Sequence, residues 1–370
     1  MARDVKRTLA EKYKEHFNKE DKFKLTMRDV NNIFPIWFIL TMIGACYYGH
    51  CYVAPVVHLS FEISYTVEMV MYGVMYDIFG EMIVNWLCVR MVKSIFKVED
   101  EKKLADSMPI PELQEITRDA ELQTPDNVEN KQENERTIEN GETMVWKRFR
   151  GNGQIYAVKM KKNDTKGNID PEKTVMYPYW SWKPCLICQH SRPPRTHHCP
   201  LCQACMLKRD HHCFFTGSCI AMNNQRHFIV FSFWSVLATS FSLIYSCIYI
   251  YVIVFDLGIL ELYDIFLPQL FVDWVVGNTE FYQVIIFFLI YSIVFFWVTS
   301  FKFLHDQYSQ VMAGVTSFEK DNKIKIQNTN SFKEELESIF GPFWYLNFIV
   351  PLHLLFPLKD NGKDWPNIKQ

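Results

Sequence analysis

Hydrophobic positions along this chain fall into long blocks rather than short alternations. Residues 33–57, IFPIWFILTMIGACYYGHCYVAPVV, hold no Lys, Arg, Asp or Glu, and residues 228–255 and 281–301 hold none either. A membrane-crossing helix needs about 20 mostly apolar residues, so each block predicts one span. Their Trp and Tyr content suits anchoring at the membrane edges. Residues 64–89 are also apolar, but Glu68, Asp77 and Glu81 interrupt them.

Charge decides how that fourth block is read. Lys and Arg number 9 in residues 1–32, 22 in 90–227 and 8 in 302–370, which is all 39 in the chain, and the 256–280 loop carries five acids and no base. If 64–89 spans, every basic segment lies on one side, which the positive-inside tendency makes cytosolic. Four spans with both termini cytosolic are therefore expected, with 256–280 as a lumenal loop. Asp77 and Glu81, four apart, share a helix face. Acids within a membrane are functional candidates, and the plainer reading turns both into the bundle, hydrogen-bonded to neighbours.

The polar stretches between the blocks complete the organisation. Glu112 to Glu142 is rich in Glu, Asn, Gln and Thr and poor in aromatics, so it buries too little apolar surface to offset chain entropy. The whole of 90–182 is read as a cytosolic segment containing a largely disordered insert. Its aromatic end, 143–182, is expected to pack short extended pieces on the next domain. After the last span, Ser331 with Glu334 three residues on forms a capping box. Phe332, Leu336, Ile339 and Phe340 then make one helical stripe, ended by Gly341-Pro342. Residues 343–357 are apolar, short and interrupted by a proline, and are read as lying at the interface.

Composition adds two exclusions. The 370 residues carry a formal net charge of −2, which argues against a nucleic-acid binder. The N-terminus, MARDVKRTLAEKYKEHF, has no early apolar core, so a cleaved signal peptide is not expected.

The cysteines bring in chemistry. Seven of the eleven, and five of the eleven histidines, lie between Cys185 and Cys219. The pattern runs Cys185-x2-Cys188-x9-His198-Cys199-x2-Cys202-x2-Cys205, then x4-Asp210-His211-His212-Cys213-x5-Cys219. Clustered Cys and His at short gaps suit metal in a reducing compartment better than disulfides, and two CxxC pairs point to zinc. A short polar segment with Pro193, Pro194 and Pro200 has little core of its own, so metal would supply its folding energy. Two closed zinc sites need eight ligands and the window offers twelve, so four stay over for another task. Spacing alone does not say which. A RING-type arrangement would need a final CxxC pair, whereas Cys213 and Cys219 stand five residues apart.

With Asn224 and Phe228 added, the pattern CxxC-x9-HC-x2-C-x2-C-x4-DHHC-x5-C-x4-N-x3-F resembles the cysteine-rich domain of the DHHC protein S-acyltransferases, the palmitoyltransferases. The resemblance is firm over 185–228, and the order of spans agrees with it. It implies an α-helical integral membrane protein with four transmembrane helices and a small zinc-stabilised cytosolic domain between the second and third. The segments would be 1–32 cytosolic, 33–89 with helices 1 and 2, 90–182 cytosolic, 183–227 the zinc domain, 228–301 with helices 3 and 4, and 302–370 a cytosolic tail. One structural zinc would be held by Cys185, Cys188, His198 and Cys205. The other would be held by Cys199, Cys202, His212 and Cys219. Cys213 would be the nucleophile, His211 its base and Asp210 the residue that orients His211.

The implied activity is ping-pong transfer of a long-chain acyl group from acyl-CoA to Cys213 and on to cysteines of membrane-associated proteins. Partners would be acyl-CoA, such substrates and the bilayer, with no nucleic acid, in Golgi or endoplasmic reticulum. Arg192, Arg195 and His197 are candidates for the CoA phosphates, with Lys208 and Arg209 behind them. Three positions depart from the family pattern. Phe214-Phe215 replaces Pro-Trp, Thr316-Ser317-Phe318-Glu319 stands for Thr-Thr-x-Glu, and Glu335 occupies the place of an Asn ahead of Ile339-Phe340-Gly341. A non-catalytic zinc protein of the same fold, recruiting partners, is the alternative.

Overall fold

A computed structural model describes residues 29–97, 134–139, 142–151, 154–161, 176–177, 179–185, 188, 190–259, 261–350, 358, 361–365 and 368–369. The chain divides into two compact units. One comprises residues 1–90, 213–218 and 227–306, and the other 91–212, 219–226 and 307–370.

The first unit is a helix bundle. Helices α1 (Asp29–Ser60), α3 (Gln225–Asp256) and α5 (Phe281–Ala313) are long and apolar enough to cross a membrane. Helix α2 (Tyr65–Met91) has 27 residues, enough for a span, but its acids leave it less apolar than the other three. Asp77 is exposed on the outside of α2 rather than turned into the bundle. Glu81 is half-buried and lies 3.5 Å from Asn85 Nδ2, one turn on. Helix α4 (Leu267–Val276) fills part of the acidic loop, where the sequence predicts no element. α1 widens into a π-helical turn over Gly49–Val53, just before Pro55, whose missing N–H breaks the regular ladder.

Aromatic and aliphatic side chains join the helices. Phe38 of α1 packs against Trp86 of α2 at 5.6 Å, Phe231 of α3 at 5.7 Å and Phe296 of α5 at 5.6 Å between ring centroids. Further along, Val53 and Val57 meet Tyr249, Ile253, Leu270, Ile286 and Phe287. In lipid such contacts hold by close packing rather than by exclusion of water. A polar tie joins three helices as well: buried His58 of α1 lies 3.1 Å from Glu68 of α2 through Nδ1 and 2.9 Å from the Tyr245 hydroxyl of α3 through Nε2. An apolar cavity opens among the four long helices, lined by Ala45, Met71, Met75, Phe241 and Leu289 among others.

The second unit is built from short strands. β1 (Asn134–Glu139), β2 (Glu142–Gly151), β3 (Gln154–Lys161) and β4 (Met176–Tyr177) form an antiparallel sheet in that order. β1 falls within the stretch predicted to be disordered. Of that stretch, residues 112–133 and 140–141 lie outside the described residues. Three two-stranded ladders come next. β5 (Lys183–Cys185) pairs with β6 (His190–Arg192), β7 (His197–Cys199) with β8 (Ala204–Met206), and β9 (His211–Cys213) with β10 (Ser218–Ile220). The chain passes from this unit to the bundle within β9, after His212.

Two short helices, α6 (Ser317–Asp321) and α7 (Phe332–Phe340), and the pair β11 (Gln327–Asn328) and β12 (Ile368–Lys369) complete the unit. The predicted Ser331–Glu334 capping box is present, and Gly341 caps α7 at φ 85°. Ile339 and Phe340 of the predicted stripe are buried, whereas Phe332 is exposed. Within 343–357, a 3-10 turn occupies Trp344–Phe348, and residues 351–357 lie outside the described residues.

Candidate functional site

Strand geometry sorts the cysteines and histidines of the second unit. Neighbours on a strand point to opposite faces. On β7, His198 and Cys199 therefore diverge, and each joins a different set. Cys185, Cys188, His198 and Cys205 form one group and Cys199, Cys202, His212 and Cys219 the other, with ligand atoms in each lying within 4.8 Å of one another. The β7–β8 register sets His198 opposite Cys205, two members of one group.

Both groups fit zinc. A tetrahedral zinc with about 2.3 Å to sulfur and about 2.05 Å to nitrogen has S···N edges of roughly 3.6 Å. In the second group His212 Nδ1 lies 3.5, 3.4 and 3.6 Å from the Sγ atoms of Cys199, Cys202 and Cys219. In the first, His198 Nδ1 lies 3.2 Å from Cys188 Sγ. Each CxxC turn also aims a backbone N–H at its first sulfur, Cys188 to Cys185 at 3.5 Å and Cys202 to Cys199 at 3.4 Å. A Cys3His zinc centre carries one net negative charge, and an arginine attends each group. Burial alone would lower the Arg209 guanidinium, but the adjoining thiols of Cys219, Cys199 and Cys202 reverse that and raise it. Arg192 acts in the same sense on Cys205, drawing its thiol down against stronger opposing effects from Cys185 and burial.

Asp210 and His211 stand outside both groups. His211 Nδ1 lies 2.9 Å from Asp210 Oδ2, with the Asp210 side chain 2% exposed and that of His211 30% exposed. Gln307 Nε2 donates to Oδ2 at 2.8 Å, and the backbone N–H of Ser317 donates to Oδ1. Burial pushes the Asp210 carboxyl up, but the hydrogen bond and charge of His211 and the Ser317 donors outweigh it and hold the group below its ordinary value.

The Thr316 cap that precedes Ser317 is tied to a buried ion pair. Arg195 Nε and Nη2 donate to the two oxygens of Glu319 at 2.7 and 2.8 Å, with both side chains fully buried. Nη2 also donates to the Gly314 carbonyl at 2.9 Å. Tyr179 Oη and the Thr316 N–H donate to Glu319 at 2.8 and 2.7 Å. Burial alone would raise the Glu319 carboxyl, yet Arg195 and these donors lower it. Arg195 adopts φ 63°, a conformation costly for a residue with a Cβ, which the bidentate pair helps hold.

Two of the predicted CoA contacts, Arg195 and His197, are buried. Arg195 is sealed against Glu319 and presents no guanidinium to solvent. His197 is buried with its ring 4.0 Å from that of Phe318. Arg192 stays partly exposed. Lys208 faces the Trp365 ring at 5.6 Å, and Arg195 faces the same ring at 4.6 Å.

Cys213 belongs to the first unit and is 4% exposed. The loop after it is held from α2. Trp86 Nε1 donates to the Phe215 carbonyl at 3.2 Å and Arg90 Nη1 to the Thr216 carbonyl at 2.8 Å. Thr216 Oγ1 donates back to the Cys213 carbonyl at 3.3 Å. Phe215 packs among Phe34, Phe296 and Phe303 at 5.2, 5.9 and 5.7 Å. Gly217 takes φ 58°, and a Cβ there would stand 2.9 Å from Arg90 Nη1. Sequence reasoning missed Trp86, Arg90, Gln307 and Tyr179. Arg90 alone offered a signal, as the first base after the second apolar block.

Asn224 donates to the Cys219 carbonyl at 2.9 Å and accepts from the Ala221 N–H at 2.8 Å. α3 consequently begins at Gln225, three residues before the apolar block. Glu335 is buried and accepts from Asn328 and Asn330 at 2.8 and 2.7 Å, so the residue at the departed position anchors the turn before α7.

Compared with known families, residues 180–324 match the DHHC palmitoyltransferase family profile. No curated protein matches the chain.

Proposed function

From the DHHC palmitoyltransferase domain that this chain carries over residues 180–324, we propose that the protein is a protein-cysteine S-acyltransferase taking a long-chain acyl group, palmitoyl above all, from acyl-CoA. The observation that carries the reading is the Asp210–His211 pair held at 2.9 Å beside two ligand groups that use neither residue. On β9 the side chains of His211 and Cys213 fall on one face and that of His212 on the other, by strand alternation. The zinc ligand and the reacting residues would then share one strand without sharing a direction.

In the first half-reaction His211 takes the Cys213 thiol proton through Nε2, since Nδ1 faces Asp210. The thiolate adds to the acyl-CoA carbonyl, the C–S bond to CoA breaks, and the CoA thiolate leaves with the proton from His211. In the second, His211 takes the proton of a substrate cysteine. That thiolate attacks the Cys213 thioester, and Cys213 departs and is reprotonated. Asp210 keeps the imidazole in one tautomer and stabilises its cation. Zinc, when bound by the two groups, supplies folding free energy and fixes the strands. No step passes through it.

Four spans are the topology that suits this chemistry, with α2 as the second and both termini cytosolic in a Golgi or endoplasmic reticulum membrane. The loop with Cys213 would lie at the cytosolic edge, and the acyl chain would enter the apolar cavity among α1, α2, α3 and α5. Arg192 remains the candidate for a CoA phosphate. Incubation of purified protein with labelled palmitoyl-CoA tests the reading. A hydroxylamine-labile label should appear and be absent in Cys213→Ser. Equal labelling of that variant would remove Cys213 as nucleophile, and an unlabelled wild type with a full zinc complement would favour the non-catalytic alternative.

A further inference from the structure

Three glutamines, Gln225, Gln307 and Gln310, are 5%, 2% and 4% exposed. A buried amide without partners costs free energy, and these three converge on one carboxylate. Gln307 Nε2 donates to Asp210 Oδ2 at 2.8 Å, on the same oxygen that faces His211 Nδ1. Gln225 Nε2 donates to Gln307 Oε1 at 3.1 Å. With its amide nitrogen toward Asp210, Gln310 donates to Oδ1 at 3.0 Å and Oδ2 at 3.2 Å and accepts from Ser317 Oγ at 2.8 Å. The opposite orientation would accept from Gln307 Nε2 at 3.1 Å but set the amide oxygen against the Asp210 carboxylate.

An amide can present either its oxygen or its nitrogen in nearly the same space. A Gln307 turned over would aim its oxygen at the Asp210 carboxylate and repel it. Gln225, at the first turn of α3, favours the donating orientation by hydrogen-bonding to the Gln307 oxygen. The Asp210 side chain is thereby held by donors from α5 and from the start of α6, so its Oδ2 stays directed at His211.

We propose that Gln307, oriented by Gln225, is a positioning residue that fixes Asp210 on His211 and through it sets the reactivity of Cys213. The inference rests on the acyl-transfer reading, in which His211 serves Cys213, and goes beyond it by extending the reacting group to the cytosolic ends of α3 and α5.

The test uses full-length protein in lipid nanodiscs with two readouts at one fixed pH. The first is the rate of Cys213 alkylation by iodoacetamide, followed by mass spectrometry of its peptide. The second is kcat and KM for self-acylation with palmitoyl-CoA. Methionine and histidine both fill about the space of glutamine, but only histidine carries an N–H. Gln307→Met should slow both alkylation and kcat about tenfold, the scale of one hydrogen bond to a charged group, with KM unchanged. Gln307→His should recover most of the loss. Gln225→Met should fall between wild type and Gln307→Met. Zinc content should stay at the wild-type level in all three. Wild-type rates in Gln307→Met, or equal losses in the methionine and histidine variants, would reduce Gln307 to packing and overturn the proposal. A wild type that fails to self-acylate would overturn the acyl-transfer reading, while the alkylation rates would still decide the role of Gln307.

Discussion

Two parts of the second unit hold polar groups together by different means. In residues 185–219, eight Cys and His side chains gather into two groups whose ligand atoms lie within 4.8 Å. Thiolates at that separation would repel one another, so such groups suit a bound cation. In residues 307–319, Gln307, Ser317 and the Arg195–Glu319 pair gather around Asp210 with no ion required, because each carboxylate oxygen meets a donor. The first arrangement, with zinc bound, should fail as a whole when a ligand is lost. The second is a hydrogen-bonded frame whose members should fail by degrees.

The largest effect should come from the metal groups. Cys199→Ala removes a ligand from a closed site, and structural zinc contributes about 10–16 kcal/mol of apparent binding energy in small zinc domains. Zinc per protein should drop by at least one equivalent, and the cysteine-rich strands, three residues each, should lose their thermal transition. Chelation of the wild type should do the same. Retention of two zinc ions in Cys199→Ala would break the contrast, because the group would then be no more than a cluster of buried thiols.

Next in size is the ion pair. Glu319→Gln leaves a fully buried guanidinium without its anion, which costs about 3–5 kcal/mol, read as a lowered midpoint in denaturant with zinc still bound. Its pH dependence has a definite sign. The folded Glu319 carboxyl lies below its ordinary value, so its stabilisation is complete above the unfolded value of about 4.3 and is lost as pH falls through the folded one. The Glu319→Gln variant should lack that part of the acid slope. A variant as stable as wild type at neutral pH would show that the frame does not depend on this pair.

The two arrangements were not equally legible in the sequence. The ligand groups announce themselves because their spacing is local: a CxxC turn brings two sulfurs together by itself, and β7 divides His198 from Cys199 by alternation alone. The frame around Asp210 joins residues about a hundred positions apart. Gln307 and Gln310 sit at the end of an apolar helix, where a glutamine has many uses. Arg195 shows its charge in the sequence but neither its burial nor its pairing with Glu319. The apolar blocks predict α1 and α3 to within a few residues, whereas α5 runs twelve residues past its block, to Ala313. Helix α4 escapes because its ten residues fall between acids in a loop. Asp77 is read as facing inward because periodicity says which residues share a face, not which face is turned in.

The smallest effects separate two caps of one design. Thr316 and Ser331 each accept from the N–H three residues on, at 3.3 and 3.4 Å, and each backbone N–H donates to that residue's carboxylate at 2.7 Å. Loss of such a cap costs about 1 kcal/mol, so Thr316→Ala and Ser331→Ala should lower stability by similar amounts. Their effects on chemistry should differ. The Thr316 cap begins the helix whose first N–H is donated to Asp210 by Ser317, and its Glu319 is the partner of Arg195. The Ser331 cap is exposed and begins α7, which contributes nothing to Asp210 among the described contacts. Self-acylation should therefore slow several-fold in Thr316→Ala and stay at the wild-type rate in Ser331→Ala. Equal rates in the two variants, at matched stability, would mean that the start of α6 supports the fold without steering the carboxylate, and Gln307 would be left to hold Asp210 with Gln310.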